Sequence, residues 1–198
     1  MKVAIVSGSP RAGSQSARIS ELINSRFFAG SAEIIDLHQT PLPEWNGTGF
    51  GDPAVKAVRQ QLAQADALVI VAPEWNGMAP AALKNLFLWC SYKQLAHKPA
   101  LLVAISAGDG GAFVVTELRS SSYKNSRLLY LPEHVILRDV EALWVDGETS
   151  TEELQRRESY LHKRLAYGVE LLQAYGESMV SVRERMEPHF EEHTNGMS

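Results

Sequence analysis

Hydrophobic residues along this chain fall into short, nearly continuous runs separated by longer segments with helical spacing. Three such runs occupy positions 3–6, 67–72 and 100–105. Because apolar and polar positions do not alternate within them, each run predicts a strand buried on both faces, as in a parallel sheet between two layers of helices. Positions 32–37 predict a weaker strand, and positions 134–140 predict a fifth whose polar breaks are typical of a sheet edge.

The segments between these runs predict five helices. Asp52 and Pro53 provide a cap and a first turn for the second helix. The sequence 150–153 (Ser-Thr-Glu-Glu) has the pattern of a capping box that opens the last helix, which is expected to end near Tyr175. The fourth helix covers about 112–120. The apolar face of the first helix is expected to contain Ile19, Leu22, Ile23 and Phe27, and that of the second Val55, Val58 and Leu62. The third helix begins at Pro80, and its apolar face is expected to contain Leu83, Leu86, Phe87 and Cys90.

Strand and helix therefore alternate along the chain, which predicts a doubly wound α/β fold. Five strands favour a flavodoxin-like parallel sheet in the order 2-1-3-4-5, with helices on both faces, over a six-stranded dinucleotide fold. We expect a single domain over residues 1–180. Residues 181–198 are polar and predict a C-terminal tail that is either disordered or docked on a neighbour.

Charge and cysteine content narrow the partners and the compartment. The 198 residues carry a formal net charge of −4, so no basic excess exists to bind nucleic acid or an anionic membrane. No apolar run approaches the roughly 18 residues of a membrane span. A strand that begins at Lys2 leaves no room for a signal peptide, and the single cysteine excludes an intrachain disulfide. We therefore expect a cytoplasmic protein.

The reactive residue types do not form a catalytic pattern. Cys90 falls on the apolar face of a predicted helix, which favours a structural role over a catalytic thiol. The six histidines show no metal-ligand spacing within one element; His189 and His193 are four residues apart but lie in the predicted tail after Pro188. No serine, histidine and acid form a triad. The sequence predicts no metal site and no catalytic side chain.

The loop after the first strand, residues 7–16, has the composition of a phosphate site. It joins glycines and several hydroxyl groups to the free N–H groups of a helix start, which together form an anion-binding nest. Ser9, Ser14 and Ser16 can donate hydrogen bonds, and Arg11 can pair with a phosphate. The loop lacks the motifs of a Walker loop and of a dinucleotide fold. A serine-rich turn with a capping serine is the alternative.

Two more loops follow the third and fourth strands. Segment 73–77 combines an aromatic ring, an amide and a glycine, which suits the edge of a planar heterocycle. Its alternative is a turn in which Asn76 and Gly77 provide positive φ and Trp75 is a core residue. Segment 106–111 contains three glycines in four positions, so its backbone can approach a flat ligand closely, although a flexible surface turn is the alternative.

All three loops project from the carboxyl edge of a doubly wound sheet, where ligands bind. A phosphate nest, an aromatic–amide loop and a glycine-rich loop match the phosphate tail and the flat ring of flavin mononucleotide (FMN). We therefore predict FMN as the cofactor.

The same segments resemble the NADPH-dependent FMN reductases, a family that includes quinone, azo-dye and chromate reductases. The resemblance covers roughly residues 1–125. The segments that carry it are 8–14, 73–77, 83–85 with Trp89, and 106–111, and segments 36–37 and 41–43 also resemble the family. The resemblance implies that the FMN phosphate is bound by Ser9, Arg11, Ser14 and Ser16. It implies that the flavin ring and the ribityl chain are lined by Pro73, Glu74, Trp75, Asn76 and Gly77. The other ring edge would face Ser106, Gly108 and Gly111.

The chain departs from the family pattern at three positions. Trp75 stands where the family usually has tyrosine, Met78 where it has a small polar residue, and Leu88 where it often has an acid. These differences bear on the choice of substrate more than on flavin binding.

The resemblance implies an oxidoreductase that passes electrons from NADPH or NADH through FMN to a small acceptor: a quinone, an azo compound, a metal oxyanion or free flavin. Because the cofactor carries the chemistry, no acid–base side chain is required. We expect ping-pong turnover, since one flavin face serves donor and acceptor in turn. The alternative is a flavodoxin-like electron-transfer protein without its own NAD(P)H site.

The third helix also predicts an interface. Leu88 and Trp89 fall outside its apolar stripe, near Met78, where a helix over a sheet normally exposes polar residues. A second apolar surface usually marks an interface, so we expect a homodimer or homotetramer. The alternative is a monomer in which Trp89 packs on the last helix near Leu171 and Tyr175.

Overall fold

A computed structural model describes residues 1–145 and 151–194 of the chain. Its strands form one parallel sheet in the order β2-β1-β3-β4-β5, which confirms the predicted flavodoxin-like topology. Every residue of β1, β3 and β4 is buried, as their continuous apolar runs require. The strands are β1 Val3–Ser7, β2 Glu33–Asp36, β3 Ala67–Pro73, β4 Pro99–Ile105 and β5 Leu129–Leu137.

Helices cover both faces of the sheet, again as predicted. They are α1 Gln15–Phe27, α2 Pro53–Gln64, α3 Ala81–Trp89, α4 Tyr92–Leu95, α5 Ala112–Ser121 and α6 Glu152–Met186. Val3 and Ile5 of β1 pack in one core cluster with α1 and α6, whereas Ala4 and Val6 pack in the other with α2, α3 and α5. This split follows from the alternation of side chains along a strand. Within the described ranges, no helix is both long and apolar enough to cross a membrane.

The second and last helices begin on side-chain caps. Asp52 Oδ1 accepts from the N–H groups of Ala54 (2.9 Å) and Val55 (3.1 Å), with Pro53 in the first turn, as expected. Thr151 caps α6 by accepting from Leu154 N at 3.2 Å. The predicted capping box therefore does not have Ser150 as its cap, and Ser150 itself lies outside the described residues.

The fifth strand begins five residues earlier than its apolar pattern predicted, and it ends at Leu137 rather than Val140. The early part was missed because a register shift interrupts its pairing with β4 between Ala100 and Leu102. Pro132, which lacks an N–H donor, is tolerated in such an irregularity at a sheet edge. The four-residue helix α4 also went unpredicted, because it is too short to show periodicity.

The last helix is longer than predicted: it continues to Met186 instead of ending near Tyr175. Gly176 does not end it but allows close packing, since a Cβ at this position would collide with Met1 Sδ. An ion pair between Arg183 Nη2 and Asp66 Oδ1 (3.0 Å) holds the added turns against the sheet. Residues 181–186, assigned from the sequence to a polar tail, therefore belong to α6.

The described residues beyond α6 fold back onto the same chain. A short 3₁₀ helix, Glu187–His189, is followed by Phe190, whose ring centroid lies 5.4 Å from that of Tyr92 and 5.8 Å from that of His97. These contacts lie on and just after α4, so this part of the segment packs on its own domain.

Trp89 is 1% exposed, so its predicted place on an outer surface of α3 is wrong. The segment between β2 and α2 covers it: Trp89 Nε1 donates to Pro43 O at 2.8 Å, and Phe50 meets the indole edge-on at 5.3 Å. The predicted inner face is only partly right, because Phe87 is half-buried and Cys90 follows the end of the helix. Leu88 remains 55% exposed.

Candidate functional site

Three loops at the carboxyl edge of the sheet enclose a cleft of about 160 Å³. The predicted site residues that line it are Ser9, Arg11, Ser14, Ser16, Pro73, Glu74, Trp75 and Ser106. Asn76, Gly77, Gly108 and Gly111 lie on the same loops, but outside this lining as the described residues form it. Strands β1, β3 and β4 are neighbours in the sheet, so tertiary structure brings together segments about 30 to 90 positions apart.

The first loop places free donors at the start of α1. Ser14 is the N-cap, and its Oγ accepts from Ala17 N at 3.2 Å. Ser9 is fully buried and its Oγ accepts from Arg11 N at 3.2 Å. Ser16 Oγ is buried without a hydrogen-bond partner among the described residues. The alternative reading of this loop, a turn with a capping serine, is therefore correct for Ser14. The same loop also presents hydrogen-bond donors of the kind that form an anion nest.

Arg11 links the first loop to the second at the mouth of the cleft. The side chain is exposed, and its guanidinium carbon lies 6.0 Å from the centroid of the Trp75 ring, within cation–π range. A cation is therefore held next to the donors of the first loop, in an otherwise acidic chain.

The second loop is a tight hairpin turn. Trp75 N donates to Met78 O at 3.1 Å and Met78 N donates to Trp75 O at 2.9 Å, while Asn76 (φ 50°) and Gly77 (φ 70°) adopt left-handed conformations. These features match a type I′ turn. The turn alternative is confirmed for Asn76 and Gly77, but Trp75 is half-buried at the cleft and lies in neither core cluster.

The third loop meets the second through Glu74. Glu74 Oε2 accepts from Phe113 N at 2.9 Å and Val114 N at 3.1 Å, in the first turn of α5. Ser106 Oγ accepts from Gly108 N at 3.3 Å, which closes the loop on itself. The predicted ring-binding loops are therefore joined to each other by a carboxylate.

The sequence reasoning missed Val140 and Glu141, which also line the cleft. Both belong to a short 3₁₀ helix, Val140–Ala142, that follows β5. Arg18 of α1 fixes this segment by donating to Val140 O (2.6 Å) and Leu143 O (2.9 Å), and burial lowers the pKa of its guanidinium. The available signal was topological, since the carboxyl end of β5 must reach the same edge as the other loops.

Cys90 does not line the cleft. It lies just beyond α3, and burial raises the pKa of its thiol to about 12. A thiol of this kind is protonated at neutral pH and is a weak nucleophile. Among the described residues, no group of three or more histidine, cysteine or acidic side chains could hold a metal ion.

Residues 1–141 match the profile of the NADPH-dependent FMN reductases. The chain belongs to this family. Over 139 residues it is 33% identical to an NAD(P)H-dependent FMN reductase of Pseudomonas aeruginosa, which covers 68% of this chain and 72% of the relative. Over 163 residues it is 28% identical to a 2-hydroxy-1,4-benzoquinone reductase of Burkholderia, covering 79% and 89%. An NADPH azoreductase of Bacillus is 27% identical over 139 residues, covering 69% and 76%.

Solved structures show the same fold. An oxidoreductase of Corynebacterium diphtheriae superposes with a TM-score of 0.70 at 16% identity, over 89% of this chain and 97% of that one. A flavoenzyme NAD(P)H:(acceptor) oxidoreductase of Paracoccus denitrificans superposes with a TM-score of 0.62 at 22% sequence identity. The superposition covers 85% of this chain and 97% of that one.

Family membership identifies this protein as an oxidoreductase with FMN as cofactor and a reduced nicotinamide nucleotide as reductant. The residues of the cleft fit that cofactor. The start of α1 and the hydroxyl of Ser16, which has no partner within the described ranges, present donors to an anion, and Arg11 adds a positive charge. The family match ends at residue 141, so α6 lies outside it.

Proposed function

We propose that this protein passes electrons from NADPH or NADH, through FMN held in the cleft, to a small planar acceptor, with ping-pong turnover. The observation that carries this proposal is the buried hydroxyl of Ser16, which has no partner among the described residues and lies in the first turn of α1. An unpartnered buried hydroxyl costs free energy unless a ligand satisfies it. A phosphate at this helix start would do so.

Each loop then has a share in holding the cofactor. The phosphate end belongs to the nest formed by Ser9, Arg11, Ser14 and Ser16, the ring and ribityl chain to residues 73–77, and the other ring edge to Ser106, Gly108 and Gly111. The positive end of the α1 dipole adds to the charge of Arg11. One nest suits one phosphate, which favours FMN over a dinucleotide flavin.

Bound FMN supplies the hydride-accepting and electron-donating chemistry. The protein positions reactants and limits access by water. Among the described residues that line the cleft, the carboxylates are Glu74 and Glu141, and Glu74 is occupied by two N–H donors of α5. No step of the proposed turnover calls for a proton from a protein side chain.

Exposed apolar side chains next to two cleft-lining residues, Trp75 and Glu74, favour an aromatic acceptor. Met78 (51% exposed) and Phe113 (68% exposed) are large apolar side chains on the second loop and at the start of α5. Exposed apolar groups beside a binding site favour flat apolar ligands. Quinones, azo compounds and free flavin share this chemistry, and the names of the relatives cover the same range.

An absorbance spectrum tests the proposal. Purified protein reconstituted with FMN should show the flavin bands, and anaerobic NADPH should bleach them; benzoquinone should then restore them. Initial rates at several benzoquinone concentrations should give parallel double-reciprocal lines. Failure to bind FMN contradicts the proposed site, whereas bound FMN that NADPH does not bleach indicates an electron carrier. Intersecting lines would instead require a ternary complex.

Two further parts of the proposal concern the whole chain. We propose that residues 1–186 act as one FMN-binding domain in the cytoplasm, with the boundary predicted at 180 moved to the end of α6. We also propose that this domain forms a homodimer or homotetramer through the exposed surface of α3.

A further inference from the structure

The start of α5 lacks a cap from its own sequence. Its N-cap residue, Gly111, has φ 106° and no side chain to accept a hydrogen bond. Two features require glycine at this position. One is the positive φ, and the other is the lack of space, because a Cβ would collide with Ile136 Cγ2. The first N–H groups of α5 must therefore find an acceptor elsewhere.

Glu74 supplies that acceptor from a different loop. Its Oε2 receives hydrogen bonds from Phe113 N (2.9 Å) and Val114 N (3.1 Å), the second and third residues of α5. These are the N–H groups that an N-cap side chain normally satisfies. A carboxylate at this position is also favoured by the helix dipole.

Gly110 provides the room for this contact. A Cβ built on Gly110 would lie 2.7 Å from Glu74 Oε1 and 3.0 Å from Ser106 Oγ. The carboxylate is therefore seated against the glycine-rich loop on one side and the helix start on the other. Because Glu74 and Ser106 both line the cleft, the two loops meet at the cofactor site.

A second carboxylate repeats this link one turn further along α5. Glu117 Oε2 accepts from Ala79 N at 2.6 Å, and Glu117 Oε1 accepts from Lys84 Nζ at 2.8 Å. The turn 75–78, exposed from Asn76 to Met78, is thus fixed to α5 on both sides, by Glu74 before it and by Ala79 after it.

We propose that Glu74 is a positioning residue that caps α5 from the second loop and so holds the second and third loops as one unit around FMN. This inference rests on the proposed function. It assigns the carboxylate to the protein scaffold rather than to the flavin ring, while the backbone of residues 73–77 remains free to line the cofactor.

The test measures FMN dissociation constants and apoprotein melting temperatures for Glu74→Ala, Glu74→Gln and Gly110→Ala. Asp52→Ala is the matched control, because Asp52 caps α2 with the same pair of hydrogen bonds but does not line the cleft. Glu74→Ala should weaken FMN binding about tenfold, and Glu74→Gln, which keeps an acceptor oxygen, should stay within about threefold of wild type. Asp52→Ala should lower the melting temperature without changing FMN affinity.

Gly110→Ala reaches the same contact without touching Glu74. Its Cβ should displace the carboxylate and weaken FMN binding as Glu74→Ala does, and it decides the matter if Glu74→Ala fails to fold. Wild-type FMN affinity in Glu74→Ala or Gly110→Ala overturns the inference. A Glu74→Gln variant as weak as Glu74→Ala also overturns it, because charge rather than capping would then matter. Wild-type protein that binds no FMN overturns the proposed function and this inference with it.

Discussion

Individual residues at the cleft separate into acceptors already in use and donors still free. Ser14 Oγ accepts a hydrogen bond from the first turn of α1, and Glu74 Oε2 accepts two from the first turn of α5. Ser16 keeps a buried hydroxyl without a partner among the described residues, and Arg11 keeps its guanidinium at the surface, stacked near Trp75. Ser16 and Arg11 are therefore expected to be among the groups that meet the cofactor phosphate.

Removing the Ser16 hydroxyl should separate binding from stability. Ser16→Ala deletes a buried polar atom that has no partner among the described residues, so the free energy of unfolding should stay the same or rise. The lost hydrogen bond to phosphate should weaken FMN binding roughly fivefold, for a bond of about 1 kcal/mol. Urea unfolding of the apoprotein and FMN titration check both parts. A variant that is destabilised yet binds FMN normally would contradict the assignment.

Arg11 should act on the phosphate and not on the ring. Arg11→Ala removes a charge-assisted contact of about 2 kcal/mol, so the FMN dissociation constant should rise roughly 30-fold. Riboflavin, which lacks the phosphate, should bind almost unchanged. Arg26→Ala is the matched control, because Arg26 also stacks on a tryptophan, Trp144 at 5.4 Å, but does not line the cleft. Equal losses for both ligands would place Arg11 away from the phosphate.

At the scale of the elements, a buried side chain joins the start of β4 to the end of α2, about 35 positions away in sequence. Lys98, 5% exposed and placed just before β4, donates from Nζ to Leu62 O (2.6 Å) and Ala63 O (2.8 Å) at the end of α2. Burial, followed by the charge of Arg183, lowers the pKa of its ammonium to about 8, although Asp66 acts in the opposite direction.

This shift predicts a stability that rises with pH. The unfolded chain keeps the Lys98 proton up to about pH 10.5, whereas the folded protein loses it near pH 8. Between these values the unfolded state binds more protons, so raising the pH favours folding. From pH 7.5 to 9.5 the wild type should gain about 1–2 kcal/mol of unfolding free energy relative to Lys98→Met. Urea unfolding at both pH values measures this difference; a constant difference would contradict the prediction.

At the scale of the whole molecule, an apolar groove separates the end of α3 from the end of α5. Trp45, Phe87 and Leu88 line it on one side, and residues of the segment 121–126 on the other. Leu88 is 55% exposed and Trp45 42% exposed. Because Trp89 is buried under the segment before α2, the predicted interface rests on Leu88 and this groove.

Leu88→Lys should dissociate the predicted dimer. A charge in the centre of an apolar contact is left without a partner and weakens association strongly. Light scattering at micromolar concentration should give the mass of a dimer or larger for wild type and of a monomer for the variant. Glu21→Lys, an exposed change on α1, provides the control. A monomeric wild type, or a Leu88→Lys variant that still associates, would remove α3 from the interface.

The sequence by itself determined the strand order and the edge of the sheet that the predicted binding loops share. Continuous apolar runs such as 67–72 can be buried on both faces only inside a helix-covered parallel sheet, and the loops after them must then share one edge. Helix caps and tight turns can be predicted from the sequence for a second reason, which is that they are local. Ser14, Asp52 and Asn76-Gly77 act on backbone groups within three residues.

Tertiary structure decided the contacts between residues distant in sequence. Trp89 looked like a surface residue until the segment with Pro43 and Phe50 covered it. The last helix was expected to end near Tyr175, but Gly176 continues it and leaves room for Met1. Glu74 could be placed in the cleft from the sequence, but its two hydrogen bonds reach 39 and 40 positions along the chain. Helical or strand periodicity reports which face of an element is buried; it does not report which distant group completes a helix end.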